Sequence, residues 1–103
     1  MVTVTIKKEH DKIKSILVSG HAEYDVEGKD IVCAGISSIM IGGANAIYQE
    51  DENAALIVNE KGNVSIKMND TSSDTIQIIL RTMITQLETI EASYKKYIKI
   101  INK

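Results

Sequence analysis

Val2, Val4 and Ile6 alternate with Thr3, Thr5 and Lys7 at the start of the chain. That two-residue period predicts a strand with one buried face. The polar "EHDK" at 9–12 reads as a turn, and "IKSILVSG" as a second strand antiparallel to the first. Periodicity then disappears from Gly20 until Ile31, across a polar connection with four acids, Glu23, Asp25, Glu27 and Asp30, against one base, Lys29. A helix is predicted from near Asp30 to about Asp51. Ile36, Met40, Ala44 and Ile47 recur there at spacings of three and four, as one buried face requires. Asp30 is its expected N-cap.

Gly42-Gly43 runs against helix propensity, since an interior glycine costs roughly 1 kcal/mol relative to alanine. Two readings stand at this point, close backbone packing or a tolerated kink. "AALIVNEKGNVSIKMN" predicts a hairpin turning at "EKGN". Ser72, Ser73 and Asp74 introduce a second helix, whose face is Ile76, Ile79, Leu80, Met83, Leu87, Ile90 and Tyr94. A short last strand is expected at Tyr97–Ile101. The order ββαββαβ predicts an α/β fold, a two-layer sandwich with two principal helices on one face of a mainly antiparallel sheet. The other sheet face is expected to be wet or open to a partner.

Composition narrows this picture. The 103 residues suffice for one domain, taken as 1–103, with one modest core. That core is built from Ile, Val and Leu, because Phe and Trp are absent. Twelve basic and 14 acidic side chains leave a net charge of -2. No broad cationic field is available for a nucleic-acid backbone, so direct nucleic-acid binding is not expected. Continuous apolar runs fall short of a membrane span. With one cysteine and no leader ahead of the first strand, a reducing cytoplasm is the expected compartment.

The single cysteine carries the chemical interest. Cys33 falls in the first turn of the predicted helix, where unpaired amides and the helix field favour negative charge and so a thiolate. A nucleophile also needs a base, oxyanion donors and access. His21 follows Gly20 at a strand end, from which an imidazole can project toward the sheet–helix junction. His10 sits in the first turn and reads as an ordinary solvated residue. Asp30 either orients His21 or only caps the helix. Ser37, one turn after Cys33, either adds a hydroxyl to the oxyanion site or bonds back to a helix carbonyl. Against all this, a lone cysteine in an apolar segment is more often a small buried hydrophobe. One Cys and two His form no recognisable metal spacing, and the acidic run is more simply a solvated loop. Neither a metal nor an organic cofactor is expected.

"GHA" at 20–22 followed by "GKDIVCAGIS" at 28–37 resembles the paired signature of the ribosomal-processing cysteine proteases known as the Prp family. The resemblance implies a catalytic dyad of Cys33 and His21, with Asp30 and Ser37 auxiliary. The signature residues Gly20, Ala22, Gly28 and Ala34 are then expected along the bound peptide. Family members remove an N-terminal extension from large-subunit ribosomal protein twenty-seven through a thioester. They resemble one another further in forming homodimers and in a mobile segment between the two motifs, which corresponds to residues 22–30. Two rival readings remain at this level. One is a noncatalytic ribosome-assembly or peptide-binding protein using the same groove. The other is a structural homodimer module built on Gly42, Gly43 and Ala44.

Overall fold

Residues 1–26 and 29–103 are described by the computed structural model. Strands β1 (Val2–Glu9) and β2 (Lys12–Ser19) form the first hairpin. Helix α1 (Ile31–Glu50) leads to a second hairpin, β3 (Ala55–Glu60) and β4 (Asn63–Met68). Helix α2 (Asp74–Tyr94) and strand β5 (Ile98–Asn102) complete the predicted ββαββαβ order. The five strands form one sheet in the order β3-β4-β2-β1-β5. Three of its four pairings are antiparallel, and β5 runs parallel to β1.

Each element follows from local chemistry. At the first turn His10 and Asp11 take positive φ, at 51° and 63°, as a tight hairpin requires. Asp30 caps α1 by accepting the Cys33 N–H at 3.0 Å, and Ser73 caps α2 by accepting the Ile76 N–H. The apolar sides of both helices, including Ile36, Met40 and Ile47 on α1 and Leu80, Met83 and Leu87 on α2, close over the inward residues of the sheet. An 18-residue window of α1 nevertheless has a mean hydropathy of 1.6, long and apolar enough by composition to cross a membrane. Interruptions by Gly, Ser and Asn hide that average when only continuous runs are read. In the fold Val32, Ile36, Met40, Ala44 and Ile47 of α1 are buried in the core.

One core feature departs from the apolar pattern. Gln77 is buried on α2, and its carboxamide both accepts from Ile13 N–H at 2.8 Å and donates to Ile13 C=O at 2.9 Å. Ile13 lies beyond the last β2–β4 pair, Ser15 with Lys67, so a side chain completes what a strand would otherwise supply.

The adjacent glycines of α1, Gly42 and Gly43, separate cleanly. A Cβ on Gly43 would overlap the Met83 sulfur of α2, whereas nothing lies within 4 Å of one on Gly42. Close packing therefore explains Gly43, its partner is in the same chain, and Gly42 faces outward. Opposite signs are expected from urea unfolding. Gly43→Leu should destabilise by about 1–3 kcal/mol through overpacking. Gly42→Ala should stabilise by about 0.5–1 kcal/mol, the backbone-entropy difference. Equal unfolding midpoints for the two variants would refute the assignment.

Candidate active site

The site forms where β2 ends, α1 begins and the β3–β4 hairpin turns. Gly20 makes the first bend, with φ at 89°. A side chain there would also meet the Met1 carbonyl oxygen at 2.6 Å, so two independent constraints require glycine. Its N–H donates to the Gly62 carbonyl at 2.9 Å, which joins the end of β2 to the second hairpin's turn.

His21 follows on the exposed side, and Gly62 makes room for its ring. A Cβ on Gly62 would lie 3.2 Å from the imidazole Nε2. Ala22 turns inward and is 2% exposed, while its N–H donates to Cys33 Sγ at 3.4 Å. Cys33 is half-buried on the first turn of α1 and packs against the core. His21, Cys33, Ser37 and Lys61 line both of two adjoining cavities, of about 210 and 670 Å³. The smaller reaches inward to Val18, Ile36, Met40 and Val64; the larger opens past Glu23, Asp25 and Asp30.

Asp30 organises the approach. Its Oδ1 accepts from Cys33 N–H, and its Oδ2 accepts from Tyr24 N–H at 2.9 Å and Asp25 N–H at 3.4 Å. Burial opposes the charge, but hydrogen bonds from the Cys33, Tyr24 and Asp25 amides outweigh it and hold the carboxyl below its ordinary value. Among the described residues Asp30 makes no hydrogen bond to His21, so its visible work is capping α1 and tying the loop. The Cys33 amide is engaged by that carboxylate, and the Ala34 amide by the Asp30 carbonyl at 3.0 Å. Neither N–H is therefore open to a substrate oxygen in this arrangement.

A thiol at a helix N-terminus, an imidazole on the same cleft and a nearby backbone N–H are the parts of thiolate attack on a carbonyl. Over residues 1–99 the sequence matches the family described as cysteine protease Prp. The chain belongs to that family.

Among its relatives, the ribosomal processing cysteine protease Prp of Staphylococcus aureus is 36% identical over 103 residues, covering 97% of each chain. The Bacillus subtilis protein of the same name is 32% identical, covering 97% of this chain and 96% of its own. The crystal structure of the essential S. aureus protease with a covalently linked product peptide aligns over all of both chains, with a TM-score of 0.94 and 36% identity. This Prp family member is accordingly a cysteine protease with the α/β architecture of its relatives.

The Prp signature residues are placed as follows. Gly20 lines the smaller cavity, Ala34 the larger, and Ser37 both. Ala22 lines neither, since its side chain is buried and only its amide faces the thiol. Gly28 lies outside the described residues, as does part of the 22–30 segment. His10 is in the β1–β2 turn, away from the cavity walls. Lys61 and Gly62 were not expected in the site. "EKGN" reads as a turn, but nothing local to it announces that β4 pairs with β2 and so brings this turn beside His21.

Proposed function

We propose that this protein is an endopeptidase that removes the N-terminal extension from the precursor of bacterial large-subunit ribosomal protein twenty-seven, working in the cytoplasm as a homodimer. The observation that carries the catalytic part is the position of Cys33. In a chain of a cysteine protease family the only cysteine sits at the start of α1, on the same cleft as His21, with a backbone N–H directed at its sulfur. The ribosomal part is supported by the names of the relatives, which are ribosomal processing proteases.

The chemistry uses the chain's own groups. Cys33 Sγ, as thiolate paired with protonated His21, attacks the scissile carbonyl carbon, and the carbonyl π electrons move onto oxygen. The Ala22 N–H, already directed at the sulfur, and the Ser37 hydroxyl on the cleft wall are the donors suited to that oxygen. Lys61 adds positive charge on the same wall. Collapse of the intermediate breaks the C–N bond while His21 gives its proton to the departing amine, leaving a thioester. His21 then takes a proton from water as that water attacks the thioester. The acyl fragment leaves as a carboxylic acid, and the thiolate–imidazolium pair is restored.

The substrate is tested by mass spectrometry of the purified precursor before and after incubation, with Cys33→Ala protein in a parallel tube. One cut that releases the extension, present only with the unaltered protein, is expected. An intact precursor would remove this substrate. Tight binding without a cut by either protein would favour a noncatalytic binder.

A further inference from the structure

We propose that Tyr24 is a positioning residue for the cleavage reaction, anchoring the His21–Val26 segment to the junction of α2 and β5. The inference rests on the reading that Cys33 and His21 carry the chemistry, and it assigns a role to a residue outside the signature blocks.

The Tyr24 ring lies edge-on to two others. Its centroid is 5.5 Å from that of Tyr94 at an interplanar angle of 88°, and 5.1 Å from that of Tyr97 at 75°. These are favourable edge-to-face arrangements for aromatic quadrupoles. Both partners belong to the framework. Tyr94 ends α2, and the Tyr97 N–H donates to its carbonyl at 2.8 Å. The Tyr97 carbonyl in turn accepts from Val2 N–H at 2.9 Å, at the first residue of β1. The anchor is therefore held by a helix end and by a strand in the interior of the sheet.

The other side of Tyr24 faces the chemistry. Its N–H donates to Asp30 Oδ2, while Oδ1 of the same carboxylate holds the Cys33 N–H. Between Tyr24 and His21 stand only Ala22, which is buried, and Glu23, which takes a φ of 57° that L residues rarely adopt. Such a short, conformationally restricted link transmits the ring's position to the imidazole and to the Ala22 N–H directed at Cys33. The residue as a whole remains 40% exposed, so core burial is a poor account of it. Among the described residues its hydroxyl makes no hydrogen bond, which leaves the aromatic ring as the functional part.

Four variants test this: Tyr24→Phe, Tyr24→Ala, Tyr97→Ala and the double change Tyr24→Ala/Tyr97→Ala. Peptide cleavage is read as kcat and KM, and Cys33 alkylation by iodoacetamide at neutral pH as a rate. Phenylalanine should match tyrosine in both assays. Each alanine variant should lower kcat about tenfold with KM nearly unchanged, as misplacement of reacting groups does. Alkylation should slow by a similar factor, and Tyr24→Ala/Tyr97→Ala should be no worse than either single change. Alkylation needs no substrate and reads the chain's only thiol, so it stays informative even if Cys33 is not the nucleophile. Wild-type kcat and alkylation in Tyr24→Ala would overturn the proposal. So would a rise in KM alone, which would make the ring a substrate contact, or failure of phenylalanine to replace tyrosine.

Discussion

Replacing Cys33 by alanine is expected to reduce peptide-bond cleavage by at least about a thousandfold, because no other group in the chain can form the thioester. The fold should survive. The side chain is half-buried and small, alanine is the best helix former, and the Asp30 cap acts on the backbone N–H that the substitution leaves in place. What is lost locally is the weak contact from Ala22 N–H to sulfur. Peptide affinity should therefore stay within a few-fold of the unaltered protein while turnover disappears. Single-turnover cleavage and calorimetric peptide binding, run on the same preparation, separate the two quantities. Cleavage by the alanine variant at a tenth of the normal rate or faster would end the nucleophile assignment.

His21→Ala should be the next most severe change, slowing acylation by about a hundred- to ten-thousandfold, the usual worth of a positioned acid–base group. Its position offers a stricter test than the loss alone. The ring is on the exposed side of the site, against a glycine, so its removal leaves an accessible vacancy beside Gly62. Added imidazole should enter it and restore part of the rate to His21→Ala, and none to Cys33→Ala. The control is His10→Ala, which alters a residue of the β1–β2 turn and should leave turnover unchanged. A His21→Ala enzyme with normal single-turnover kinetics would remove the imidazole from the mechanism.

The parts of this molecule legible before its structure are those governed by near neighbours in the chain. Alternation in Val2–Ile6, the three-and-four spacing from Ile36 to Ile47, and a carboxylate three residues before Cys33 each state a local rule, and each appears in the fold. The parts that were not legible depend on which strands become neighbours. Alternation tells a strand which face to bury but not which strand lies beside it. The pairing of β2 with β4 therefore had no local sign, and with it the placement of Lys61 and Gly62 in the site. Gln77 is a polar residue on an amphipathic helix, a kind of position that usually faces water. Its burial makes sense only once Ile13 is seen to extend past the end of β4. Tyr24 is a further case, since its two ring partners lie some seventy positions away in the chain.

The contact between the Met1 carbonyl and Gly20 bears on how the protein should be handled. Residues fused ahead of Met1 would emerge next to His21, at the rim of the cleft, because β1 begins at that end of the sheet. The opposite terminus is better placed. Lys103 is bonded to Lys8 and Ile6 at the far end of β1, so an affinity tag attached there points away from the reacting groups. Purification handles and fluorescent reporters belong on that end, and a tagged preparation that cleaves poorly should first be compared with one tagged at the other.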